Sequence, residues 1–145
     1  MALRAAAEVL IAAPATTVMA VLTEATRWPD WCSLYRAVEV LDTGADGLPR
    51  RVRVVASVIG IRDEQELEYI WQGTAGCSWT LLTGGQARSQ IGSYRLSPQG
   101  AGTQVRFELE MELNIPLPGF LVRQAQKKIV SAATTELKAA AEARG

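Results

Sequence analysis

Between Pro118 and Ala143 the chain has no proline after Pro118 and no glycine after Gly119, and Ala, Leu, Lys, Gln and Glu dominate the run. These residues are strong helix formers. Apolar side chains recur at Val122, Ala125, Ile129, Ala133, Leu137 and Ala140, three or four residues apart. That spacing draws a single stripe along a helix. Arg123, Gln124, Lys127, Lys128, Glu136 and Lys138 fall mostly off the stripe. Pro118 suits an opening turn, where its missing N–H is not needed. The spacing therefore predicts one long helix of roughly 37 Å, about the diameter of a small domain. A stripe of that length needs a broad apolar surface to lie against.

The preceding residues supply a sheet. Thr103 to Ile115 alternates without a break: Val105, Phe107, Leu109, Met111, Leu113 and Ile115 against Gln104, Arg106, Glu108, Glu110, Glu112 and Asn114. One face is buried and the other wet, as antiparallel sheets allow. Asp63 to Trp71 alternates in the same way, with Leu67, Tyr69 and Trp71 opposite Glu64, Glu66 and Glu68. Further strands are expected over Arg4–Ala12, Leu34–Leu41, Arg50–Ile59, Cys77–Leu82 and Ala87–Leu96. Glycine-rich turns separate them, notably Asp42 to Gly47, Gly84-Gly85 and Pro98 to Gly102. Gly92, inside the sixth strand, is expected to mark a bulge or a sharp bend. Pro14 to Leu22 reads as a short amphipathic helix, and Glu24 to Ser33 as a second short helix or turn. Short connections favour hairpin pairing of consecutive strands. The order is strand, two short helices, six strands, one long helix. Seven antiparallel strands twist strongly, so one helix cannot cover the whole curved sheet, and a space is expected between the two.

A length of 145 residues fits one domain over residues 1–145, with a real core. Fifteen basic and fifteen acidic residues balance, which argues against a nucleic-acid partner, since such binding rests on phosphate neutralisation. No apolar run approaches membrane-spanning length, so stable membrane insertion is not expected. Glu8 interrupts the Ala-rich N-terminus that would otherwise resemble a signal peptide, and a cytoplasmic location is expected. Cys32 and Cys77 stand far apart, without metal or redox spacing. Histidine is absent, which removes the commonest general base, the usual zinc sites and Ser-His or Cys-His nucleophile pairs. No metal and no cofactor are expected.

Several stretches, taken in order, carry a family resemblance. They are Ile11-Ala12-Ala13-Pro14, Trp28-Pro29-Asp30-Trp31, Gly92-Ser93-Tyr94-Arg95-Leu96, Gly102-Thr103, and Pro116-Leu117-Pro118-Gly119-Phe120. Together they resemble the polyketide cyclase/dehydrase branch of the START-like (SRPBCC, Bet v 1-like) superfamily, over essentially the whole chain. The resemblance implies an α+β helix-grip fold, β-α-α-β6-α, with a curved seven-stranded antiparallel sheet around a long C-terminal helix. It also implies a cavity between sheet and helix that holds lipids, quinones or polyketide intermediates. Fold alone does not assign an activity.

On that reading, Trp31, Tyr35, Leu67, Tyr69, Trp71, Trp79, Tyr94, Phe107, Met111, Phe120 and Ile129 are the candidate ligand-binding residues. For each, core filling is the competing role. Trp28 is read as a staple between the short helices and the sheet, while Trp31 fits either stapling or gating. Tyr35 follows the Trp-Pro-Asp-Trp motif at the spacing of a cavity tyrosine in some aromatic-polyketide cyclases. There it is thought to act with a cavity arginine. Tyr35 and Arg95 are accordingly the catalytic candidates, although no arginine matches the family motif: the relevant strand reads Glu64-Gln65-Glu66. Cross-strand pairs with the glutamate rows explain Arg51, Arg53, Arg62, Arg88 and Arg95 more cheaply. Arg123, Lys127 and Lys128 form a solvated helix face, with contact to anionic headgroups as the alternative.

Three functions fit. The first is binding or transport of a small hydrophobic molecule. The second is cyclisation or dehydration of a polyketide-like substrate in the same cavity, using ionisable groups with perturbed pKa values. The third is a regulatory or chaperone-like module acting through an exposed apolar patch.

Overall fold

The computed structural model describes residues 1–144. Seven strands form one antiparallel sheet: β1 (Ala2–Ile11), β2 (Tyr35–Thr43), β3 (Pro49–Val58), β4 (Ile61–Trp71), β5 (Gly76–Gly84), β6 (Ala87–Gln99) and β7 (Gly102–Leu113). Their order is β1-β7-β6-β5-β4-β3-β2, a meander from β2 to β7 to which β1 is added beside β7. Between β1 and β2 lie α1 (Ala15–Thr23), a short 3-10 turn (Ala25–Arg27) and α2 (Trp28–Trp31). The C-terminal helix comprises α3 (Gly119–Ser131), a π-helical turn (Ala132–Glu136) and α4 (Leu137–Ala143). This is the expected helix-grip architecture. No described helix is long and apolar enough to cross a membrane.

Strand alternation decides which side chains face the helix. Val52 and Val54 of β3, Leu67 and Tyr69 of β4, Cys77 and Trp79 of β5, Tyr94 of β6 and Val105 and Phe107 of β7 are buried. Ala125, Ile129, Leu137 and Ala141 of the C-terminal helix complete that core. Wet positions carry the charges. Arg53 bonds Glu39 and Glu66, both at 3.1 Å. Arg106 bonds Glu108 at 2.7 Å and Glu8 at 3.2 Å. Such exposed pairs set register more than stability, at about 0–1 kcal/mol each.

Three expectations need correction. The last strand ends at Leu113, so Ile115 is outside it. The C-terminal helix is not uniformly α, and Ala141 rather than Ala140 is the buried residue near its end. Residues 129, 133, 137 and 141 are all four apart, and a row of fours drifts round an α-helix by about 40° per step. The wider π turn takes up part of that drift and keeps the row on the sheet. Of the two roles expected for Gly92, the bulge is absent: the only register shift between β6 and β7 lies at Ala87/Ser89. The Trp79 indole lies against Gly92, and a Cβ there would sit 2.1 Å from Trp79 Cζ2. Gly92 is needed for close approach.

Several hydrogen bonds tie the C-terminal helix to the rest, and two of them lie at or beside its π turn. The Tyr94 hydroxyl donates to the Ala133 carbonyl in the π turn at 3.0 Å. The Glu136 carboxylate accepts from the Ser33 N–H at 2.7 Å and from the Ser33 hydroxyl at 2.9 Å, holding the loop between α2 and β2.

Candidate ligand cavity

The helix does not fill the concave face of the sheet, and a cavity of about 140 Å³ remains. Ala125, Ile129 and Ala133 form its helical side, while Leu22, Trp28 and Trp31 close it from the short helices. Small alanines under the helix leave room that larger residues would occupy.

Seven of the nine aromatic residues form one connected wall. Trp28 stacks on Tyr35 with centroids 5.5 Å apart and lies 5.3 Å from Tyr69. Tyr69 stacks on both Trp71 (5.2 Å) and Trp79 (5.4 Å). Trp79, Tyr94 and Phe107 continue the series, with Tyr94 and Phe107 5.4 Å apart. These separations are in the range of favourable aromatic pairs. All seven line the cavity. Trp28 is also a staple, since its indole N–H donates to the Leu22 carbonyl at 3.0 Å.

Of the candidate residues, Trp31, Tyr35, Tyr69, Trp71, Trp79, Tyr94, Phe107, Met111 and Ile129 line the cavity. Three candidates do not. Phe120 is 57% exposed, because at 100° per residue it lies about 140° and about 180° round α3 from Ala125 and Ile129, on the helix face turned away from the sheet. Arg95 points to solvent between inward-facing Tyr94 and Leu96, so strand alternation removes it from any cavity role. Leu67 faces inward but is wholly enclosed by the core and leaves no surface to the cavity.

Polar side chains gather at the end of the cavity next to the β5–β6 turn. Asp63 and Gln65 share the inward row of β4, and Gln86 and Gln90 flank the start of β6. Register sets the separation: Gln65 pairs with Gly84 and Gln90 with Met111, whereas Tyr69 pairs with Trp79 and Tyr94 with Phe107. Asp63 is buried. Its Oδ1 accepts from the N–H groups of Gly85 (2.9 Å) and Gln86 (2.8 Å). Its Oδ2 accepts from the Ala87 N–H (3.0 Å) and Gln65 Nε2 (2.9 Å). The carboxylate is thus consumed in holding the turn. Among the described residues, three buried polar atoms, Trp31 Nε1, Trp79 Nε1 and Gln90 Oε1, have no partner, and all belong to lining residues.

The β3–β4 turn closes beside this polar end. Ile59 and Gly60 have φ of 49° and 82°, the backbone of a tight hairpin turn that favours Asn-Gly. A β-branched residue is costly in that conformation. Ile59 occupies it with its side chain lining the cavity, beside Val58 and Ile61.

Among the described residues no Lys, Arg or Glu lines the cavity. Burial raises the phenols of Tyr35, Tyr69 and Tyr94 above their ordinary range. Burial likewise pushes the Cys32 and Cys77 thiols up to about 12. These groups stay protonated near neutral pH and act as hydrogen-bonding or apolar surface, not as bases. Among the described residues no His/Cys/Asp/Glu cluster could hold a metal ion. The polar end escaped the sequence reading, although a signal was present. Asp63 and Gln65 have the same parity as Leu67, and Gln90 the same parity as Tyr94.

A family model described as polyketide cyclase/dehydrase and lipid transport matches residues 2–142. No curated protein matches the chain. Among solved structures, a START superfamily protein from Mycobacterium smegmatis is 21% identical, with a TM-score of 0.80 over 97% of this chain and 95% of its own. A protein from Thermus thermophilus is 23% identical, with a TM-score of 0.82 over 98% and 99%. An aromatase/cyclase from a Streptomyces species is 17% identical, with a TM-score of 0.83 over 99% and 96%. At these identities the structures speak for the fold, while the sequence match spans nearly every residue that builds the sheet, the helix and the cavity between them. The chain belongs to the polyketide cyclase/dehydrase and lipid transport family.

Proposed function

We propose that this chain is a single-domain cytoplasmic protein that binds or carries a small hydrophobic molecule in the cavity between sheet and C-terminal helix. The observation that carries this reading is an aromatic-walled cavity with no free charged group along it. Ligand sites are mostly apolar, with a few placed polar groups, and the amides at one end meet that description. Catalysis of acid–base chemistry would call for a group poised near neutral pH, and the cavity phenols and thiols are all shifted away from it. Met111 supplies the test, because it lines the cavity on β7. Met111→Trp is expected to fill the space and weaken binding of a co-purified apolar adduct, seen by native mass spectrometry, at least tenfold. Far-ultraviolet circular dichroism should be unchanged. A folded variant with unaltered adduct occupancy would overturn the assignment of this cavity as the site.

Cyclisation of a polyketide-like substrate is the second reading, favoured by Tyr35 and Tyr69 lying on one cavity wall in a chain of this family. Under it, Tyr35→Phe abolishes turnover and spares binding. Turnover that survives the change would remove Tyr35 from the chemistry.

A further inference from the structure

We propose that the ligand is uncharged and ring-shaped, and that it carries a hydroxyl group received by Gln90 at the β5–β6 end of the cavity. This inference rests on the carrier reading above and concerns the chemistry of what is carried. Charge is excluded first. A carboxylate or phosphate entering the cavity would find no Lys or Arg along the wall, only the neutral, unpartnered indole N–H groups of Trp31 and Trp79, and the chain has no histidine. A bare ion buried in apolar surroundings is strongly disfavoured. A cationic ligand would turn to Asp63, the one lining carboxylate, but each of its oxygens already accepts two hydrogen bonds from the β5–β6 turn and Gln65. Competing for it would mean unmaking the turn.

A polar contact is nevertheless called for. Gln90 is only 7% exposed, and its side-chain oxygen has no partner. Native structures leave few such atoms unpaired, and each one asks for an explanation. Gln90 lies opposite Met111 and two inward steps from Tyr94, where the amide end of the cavity meets the aromatic wall. An amide presents an acceptor on one side and donors on the other, and a hydroxyl can satisfy either. A flat ring against Trp79, Tyr94 and Phe107 would bring its substituent to this amide. The class is therefore a neutral phenol or ring alcohol. A fatty acid or any other ionised amphiphile falls outside it.

Isothermal titration calorimetry at about pH 7 with naphthalene, naphthol and naphthoate separates these points on the unaltered protein. Naphthol should bind about tenfold tighter than naphthalene, and naphthoate at least about a hundredfold weaker than naphthol, the range expected when a buried hydrogen bond is made or a charge is left unpaired. Gln90→Leu, close in volume, should abolish the preference, so that naphthol and naphthalene bind with equal affinity. Naphthoate binding as tightly as naphthol, or a naphthol preference that survives Gln90→Leu, would overturn the proposal while naphthalene binding upholds the carrier reading. If none of the three binds, the carrier reading fails and the proposal falls with it. The naphthoate comparison needs no variant, so the exclusion of charged ligands stands or falls on it even if Gln90→Leu does not fold.

Discussion

Asp63→Asn tests whether the buried carboxylate belongs to the fold or to the cavity. In the native protein Oδ1 holds the Gly85 and Gln86 N–H groups, and Oδ2 holds the Ala87 N–H and the Gln65 amide. Asparagine keeps one oxygen and replaces the other with a donor. The less costly orientation retains the Gly85 and Gln86 bonds and turns the new NH₂ towards Ala87 and Gln65. Gln65 can rotate its amide and accept. Ala87 cannot move its N–H, because it opens β6. One buried N–H is therefore orphaned, at about 1–3 kcal/mol, and two bonds lose the strengthening of a charged acceptor, together about 1 kcal/mol. The expected loss is about 3 kcal/mol, or roughly 10 °C in Tm for a chain of this size. Urea unfolding followed by tryptophan fluorescence and circular dichroism measures it, with an unchanged slope showing that the unfolded state is not the cause. A loss below about 1 kcal/mol would refute the reasoning. It would mean that the turn does not consume the carboxylate, and that a free charge faces the cavity.

Other outcomes follow from the same geometry. Tyr94→Phe keeps the ring against Phe107 but strips the Ala133 carbonyl of its donor. It should cost about 1–2 kcal/mol and speed amide exchange within the π turn, and unchanged stability and exchange would show that the bond is not needed. Alkali should destabilise the fold from about pH 9 upward. Burial lifts the Cys32 and Cys77 thiols from 9.0 to about 12, so in that window the folded chain keeps protons that the unfolded chain loses. The unfolded state then binds fewer protons, and stability falls with rising pH, with a limiting slope of about 1.4 kcal/mol per pH unit for each group. Urea midpoints at about pH 8 and about pH 10 would reveal it, and equal midpoints would contradict thiol burial.

Much of the architecture could be read before any coordinates, because periodicity is a local property. Thr103 to Leu113 alternates so regularly that its buried face needed no structure, and Leu67, Tyr69 and Trp71 do face inward together. The same parity, carried through, would have placed Arg95 outside and Asp63, Gln65 and Gln90 inside. Those three were passed over because polar residues on an inward row contradict the usual pattern, which is often how a binding site departs from a core.

The amino-acid order alone therefore settles the element sequence, the hairpin pairing of consecutive strands, the wet and dry faces of the most regular strands and the absence of histidine chemistry. Tertiary structure decides the rest, because each remaining feature depends on distances between segments far apart in the chain. Gly92 is explained only by the indole of Trp79 lying on it. The π turn answers to Tyr94, thirty-nine residues before Ala133. The cavity exists because a curved sheet and a helix faced with alanines cannot meet along their whole length, and no local pattern encodes how far apart they stand.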